Sequence, residues 1–267
     1  MVEMLRRWGV EKIQLNKYTT KQLNIHKEMK RVIIIGASSG IGRELAIHYI
    51  NAGYIVGIAA RRENLLEELK AINPTKVFFK KMDTSKPSAR EELLELIEMC
   101  GGMDKFIYCS GTGYVNKELE LEKEVRTVEV NVYGFTQLVN VAYHYFQEKG
   151  KGHIIGISSV AGLRTFSTSP SYSASKRYNI MYLKAISQLS KQKEENIKTT
   201  TILPGFIKTD LIKNRNYPLT TSIEKGGKMI FDAIQEEKKV AFCPSYWVLI
   251  SGLMLLIPSY IWGKIIK

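Results

Sequence analysis

Cysteine and histidine are scarce in this 267-residue chain, and neither is clustered. Cys100, Cys109 and Cys243 are odd in number and scattered. They suit a reducing, cytoplasmic compartment and offer neither a disulfide framework nor metal-ligand spacing. His26, His48, His144 and His153 are equally dispersed. His48 and His144 fall in helical patterns, where packing or a helix surface is the expected role. Zinc chemistry and histidine-based catalysis are without support, and no metal site is expected. The sequence has no internal repeat and no low-complexity linker, and residues 1–28 lack the apolar region of a secretory signal. No nucleic-acid recognition module is visible either. The net charge of +13 points instead to a phosphorylated cofactor, acyl-CoA or an anionic membrane surface, or serves solubility alone.

What is present is an alternation. From about residue 31 to 243, short β-branched runs alternate with helical patterns, which predicts one α/β domain built on a doubly wound parallel sheet of about seven strands with helices on both faces. Strands are expected at 31–35, 54–60, 77–82, 105–109, 153–158, 199–203 and 240–243. Helices are expected at 61–71, 87–100, 118–149 (with a break), 172–190 and 222–236. The domain is read as 29–243, preceded by an extension (1–28) that is either native or the product of an upstream start, and followed by a hydrophobic segment (244–267).

The first strand, Arg31-Val32-Ile33-Ile34-Ile35, runs directly into Gly36-Ala37-Ser38-Ser39-Gly40-Ile41-Gly42 and then a helical stripe. Strand, glycine turn, helix is the context that gives such a motif meaning. Gly36 permits the turn, Gly40 lets backbone approach a pyrophosphate, and Gly42 lets helix and strand pack closely. The helix start offers free N–H groups to phosphate. The spacing is G-x-x-x-G-x-G, and no Gly-Lys-Ser/Thr follows, so it is not a P-loop. The second strand ends in Ala59-Ala60-Arg61-Arg62, with no carboxylate to hold a ribose 2′-hydroxyl. A guanidinium can bind a 2′-phosphate, so NADP is favoured over NAD. The alternative is that Arg61 and Arg62 merely open a solvated helix.

Tyr172 and Lys176 lie four residues apart in Ser171-Tyr172-Ser173-Ala174-Ser175-Lys176. On a helix they share a face. A cation beside a phenol favours phenolate, which predicts a pKa lowered from about 10 toward neutrality and a group able to exchange a proton with an alcohol oxygen. Ser159, thirteen residues before Tyr172, is placed to hydrogen-bond the same oxygen and is preferred over Ser158.

Together these motifs resemble the short-chain dehydrogenase/reductase family over about Lys30–Asp210. The resemblance rests on Gly36/Gly40/Gly42, Asp83 after the third strand, Gly111 after the fourth, Asn131 in Asn-Val-Tyr-Gly, Ser159, Tyr172/Lys176 and Pro204-Gly205 after the sixth strand. It implies a Rossmann-like fold, a homodimer or homotetramer, and bound NADP(H). It also implies roles: Tyr172 as acid/base, Lys176 holding ribose and lowering the phenol pKa, Ser159 orienting the carbonyl, and Asn131 holding a water that links Lys176 to solvent. Asp83 would contact adenine, and the Ile207 backbone and Thr209 hydroxyl would fix the nicotinamide amide. Asp83 and Thr209 are also read as simple turn or cap residues. The usual Asn-Asn-Ala-Gly is here Tyr108-Cys109-Ser110-Gly111, so the Asn hydrogen bonds are missing.

Residues 240–263 contain no charged residue but are flanked by lysines and hold Trp247, Tyr260 and Trp262. Three readings are open: a membrane span, a hydrophobic helix that caps the substrate site and rests on a membrane surface, or a buried or oligomer contact. The loop 206–221 mixes Phe206, Leu211, Ile212, Tyr217 and Leu219 with Lys208, Lys213 and Arg215, as a substrate lid would. The expectation is an NADP(H)-dependent oxidoreductase interconverting a ketone and a secondary alcohol, with an apolar, lipid-like or steroid-like substrate. A non-catalytic dinucleotide-sensing or scaffold protein is the rival.

Overall fold

A computed structural model describes residues 30–212 and 217–265. The extension 1–28, with Lys213, Arg215 and Lys267, lies outside the described residues. Seven strands form one parallel sheet: β1 (Arg31–Ile35), β2 (Ile55–Ala60), β3 (Val77–Lys81), β4 (Lys105–Tyr108), β5 (Lys151–Ile157), β6 (Asn196–Pro204) and β7 (Val240–Cys243). Their spatial order is β3-β2-β1-β4-β5-β6-β7. Between them run α1 (Gly40–Asn51), α2 (Glu63–Ile72), α3 (Ala89–Met99), α4 (Leu121–Val128), α5 (Gly134–Lys149), α6 (Pro170–Gln192) and α7 (Ile223–Gln235). α8 (Trp247–Leu256) and α9 (Ser259–Ile265) close the chain.

The period-2 alternation of β-branched residues explains the two cores. Val32 and Ile34 point to one face, where Leu45 and Tyr49 of α1, Leu66 and Leu69 of α2, and Ile230 of α7 cover them. Ile33 and Ile35 point to the other, against Leu93 and Leu96 of α3, Phe135 and Phe146 of α5, and Leu183 of α6. Each such side chain, fully removed from water, stabilises by about 1.5–3 kcal/mol. A third cluster sits at the end of β6 and β7, where Leu203 and Val160 pack on Trp247.

The predicted break in 118–149 is not a break. Asn116 Oδ1 accepts from the Glu120 N–H at 2.9 Å and Nδ2 donates to the Glu120 carbonyl at 3.0 Å, which holds residues 116–120 as a turn and delays the helix to Leu121. From there α4 passes into α5 through a π-helical turn, Glu129–Tyr133. Such a turn inserts one residue without ending the helix, and it falls on Asn131.

The strand order reverses beside β1, between β1 and β4. At this switch point the loops leaving the carboxyl ends of adjacent strands diverge, and a crevice opens.

Candidate active site

The crevice is a cleft of about 1190 Å³. That exceeds the roughly 300–1,000 Å³ of a single-ligand site and leaves room for two ligands end to end. One end is polar. Gly36, at φ +90°, turns so tightly against the β4 loop that a Cβ would lie 2.5 Å from the Ser110 backbone nitrogen. Only glycine fits there. Ser39 precedes the first turn of α1, whose free N–H groups face the cleft with Gly40, Ile41 and Gly42. Arg62 does not merely open a solvated helix. It reaches back across the cradle and donates to Ser38 Oγ at 3.0 Å and Ser39 Oγ at 2.6 Å. Arg61, also lining the cleft, lies close enough to draw down the pKa of Asp83. A guanidinium pair beside a glycine turn and a helix start has the chemistry that suits an anion.

Asp83 lines the cleft but spends its carboxylate locally. Oδ1 accepts from the Ser85 N–H at 3.1 Å and the Ser85 hydroxyl at 2.8 Å, and the group pairs with Arg126 at 3.4 Å. Both the turn reading and a place beside a bound base are compatible with this position. Gly111 lies against the Lys176 ammonium. Thr209 packs over Gly40, and Ile207 bridges to Thr221 at the far wall. Pro204 and Gly205 form the floor, where the indole of Trp247 approaches so closely that a Cβ on Gly205 would lie 1.8 Å from Nε1.

The midpoint of the cleft holds Ser159, Tyr172 and Lys176. Ser159 lies close enough to Tyr172 to lower its pKa, and Ser159 Oγ accepts from the Ala161 N–H at 3.1 Å. Lys176 Nζ sits over the Tyr172 ring, 5.7 Å from its centroid, and donates to the Ile157 carbonyl at 3.0 Å. Ser158, the discarded alternative, donates to the Lys176 carbonyl at 2.7 Å and is buried as a scaffold bond. Asn131 is fully buried in the π turn. Its amide donates to the Thr112 carbonyl (2.8 Å) and to Ser175 Oγ (2.9 Å), and its oxygen accepts from the Thr112 N–H (2.9 Å). It thereby ties the strand-four loop to the helix that carries Tyr172 and Lys176.

A family model described as short chain dehydrogenase matches residues 30–219. The chain belongs to that family. An uncharacterized oxidoreductase of Listeria monocytogenes is 33% identical over 192 residues, covering 69% of this chain and 77% of the relative. Among solved structures, ElxO with NADP bound superposes with TM-score 0.72 at 21% identity, covering 82% of this chain and 99% of the other. A short chain dehydrogenase/reductase of Burkholderia phymatum in complex with NAD gives TM-score 0.73 at 19% identity, covering 83% and 92%. At these identities the structural likeness shows the shared fold.

Within this short chain dehydrogenase the electrostatics depart from one expectation. Burial raises the Tyr172 pKa above its ordinary value, and the interaction with Ser159 offsets only part of that. The predicted lowering fails because the ammonium lies over the ring face, with its hydrogen bond directed to a carbonyl. Burial pulls Lys176 itself down to about 8, so it remains mostly charged at neutral pH. It makes no ion pair among the described residues. A buried, uncompensated cation facing a cleft is fitted to receive ligand oxygens.

Two contributors escaped the sequence reading. Glu124 accepts from the Ser171 N–H at 3.1 Å and from Asn116 at 2.7 Å, anchoring the first turn of α6 just before Tyr172. Gly113 lies flat against the Tyr172 ring. Neither has a local signal, because each acts on a residue more than 45 positions away in sequence.

Proposed function

We propose that this chain is an NADP(H)-dependent carbonyl reductase of apolar ketones, reversible to the secondary alcohol. The observation that carries the reading is the contact of Tyr172 with Ser159 above a buried, charged Lys176, midway between an anion cradle and an apolar chamber. The bound nicotinamide supplies the hydride. Arg62 with Ser38 and Ser39, and Arg61 beside them, would hold the 2′-phosphate. Ser159 and Tyr172 would bind the substrate oxygen. As negative charge grows on that oxygen, Ser159 stabilises it by hydrogen bonding and Tyr172 delivers the proton. A raised phenol pKa keeps Tyr172 protonated at neutral pH, which favours the reductive direction. Lys176 would hold the ribose through its spare ammonium protons.

The substrate end of the cleft is lined by Phe166, Phe206, Tyr217, Trp247, Met254 and Trp262. Phe206 stacks on Tyr217 with centroids 4.2 Å apart. An apolar, lipid-like or steroid-like ketone suits such walls better than a charged one. The likeness to ElxO with NADP bound supports the cofactor assignment, and the Burkholderia phymatum complex with NAD makes it a point to test.

Thermal stabilisation by NADPH and by NADH decides it. A ligand that binds only the folded state raises Tm by linkage, about 2.7 kcal/mol at a hundredfold excess over Kd. A larger shift with NADPH is expected, followed by ketone-dependent NADPH oxidation. Binding without turnover of any ketone would favour a dinucleotide-sensing scaffold, and no shift with either nucleotide would overturn the proposal.

A further inference from the structure

Helix α8 has two apolar faces and one occupant. Trp247, Ile250 and Met254, spaced three and four apart, turn inward and line the cleft. On the opposite face Val248 is 51% exposed, Leu249 74%, Leu253 66% and Leu256 80%. The next helix, α9, adds Tyr260 at 71% and Ile261 at 37%. A helix that is apolar all round is ordinarily buried or in lipid, and a contiguous exposed patch of this kind marks a contact surface. The corner is firmly held. Arg164 donates to the Ile257 carbonyl and lies 5.3 Å above the Trp262 ring, whose indole N–H donates to the Thr165 carbonyl at 2.6 Å.

We propose that the outer face of α8 and α9 docks on the surface of an anionic phospholipid bilayer, as a monotopic contact. Three observations select this occupant. Among the described residues of α8 and α9 the one charged side chain is Lys264, which is exposed, and neither helix carries a carboxylate. Two copies meeting through this face would bring their Lys264 ammonium groups together, whereas an anionic leaflet attracts a lysine there by about 1 kcal/mol. No single described helix is long enough to span: α8 has 10 residues, about 15 Å of rise against a hydrocarbon core of about 30 Å. The α8–α9 pair is also bent by 118°, which lays both helices against a surface. Exposed Tyr246 and Tyr260 are the aromatic type that settles at headgroup depth. On the carbonyl-reductase reading, an apolar substrate would reach the cleft from the bilayer past Met254 and Trp262.

The test is flotation of the full chain with phosphatidylcholine vesicles and with phosphatidylcholine/phosphatidylglycerol vesicles. It reads binding without turnover, so it stands or falls independently of the activity. The chain is expected to float with the anionic vesicles, less so with the neutral ones, and less as salt rises. Leu249→Glu with Leu253→Glu, neither of which lines the cleft, should lower the bound fraction by about tenfold or more while circular dichroism and melting stay unchanged. Wild-type protein left at the bottom with both vesicle types would overturn the proposal, and so would a variant that floats as well as wild type. A doubled solution mass that the same variant halves, without vesicle binding, would assign the face to a second copy instead.

Discussion

At Tyr172 two effects compete. Burial favours phenol, and the interaction with Ser159 favours phenolate; burial wins, so Tyr172 keeps its proton at neutral pH. Tyr172→Phe removes that proton and is expected to cut turnover by about 10³-fold with NADPH affinity within twofold, measured by single-turnover kinetics and titration. Retained turnover would remove Tyr172 as the acid. Lys176 carries the opposite cost. Its folded pKa of about 8 lies below the ordinary 10.5, so the folded state binds its proton less tightly than the unfolded chain does. The penalty is present in full below about pH 8 and fades as pH rises toward 10.5. Lys176→Met should therefore abolish turnover yet stabilise the nucleotide-free fold by up to about 3 kcal/mol at pH 7, an advantage that shrinks toward pH 10 in denaturant titrations. An equal advantage at both pH values would mean that charge is not the cause.

Elements place these groups through long-range bonds. The π turn brings Asn131 under both the β4 loop and α6, and Glu124 anchors the start of α6. The sheet has its own titratable junction. His153 of β5 lies between Lys105 of β4, at 3.4 Å, and Thr200 of β6, at 2.7 Å. Burial, then Lys105 and Lys198, with Glu237 opposing, push its pKa down to about 3. The folded pKa lies below the unfolded 6.5, so stability is full above 6.5 and is lost as pH falls from there toward 3, by as much as about 5 kcal/mol. His153→Gln should flatten that limb of the curve in urea melts, and an unchanged acid limb would put the loss elsewhere. The strands were legible in sequence to within a few residues because short β-branched runs, bounded by turns, mark buried parallel strands. The π turn was not legible, since its sequence is ordinary helix and only the packing of Asn131 between two loops shows the extra residue.

On the scale of the whole molecule, the cleft joins three regions distant in sequence: the glycine cradle, the α6 pair and the α8–α9 corner. Arg164 clamps that corner, so Arg164→Ala is expected to raise KM for long apolar ketones several-fold while leaving kcat on a small water-soluble ketone within twofold. A matching loss on both substrates would make Arg164 a general stability residue. The sequence by itself determined the parallel α/β architecture, the glycine turn and the ordered set Asn131, Ser159, Tyr172 and Lys176, because strand and helix periods and a fixed motif order are local or nearly local signals. Tertiary structure alone decided that Arg62 crosses to Ser38 and Ser39, that Tyr172 is pushed up rather than down, and that α8 walls the cleft with one face while presenting Leu249 and Leu253 to solvent. Those outcomes depend on burial and on neighbours across the fold, and burial is a property of the packed molecule that no stretch of sequence carries.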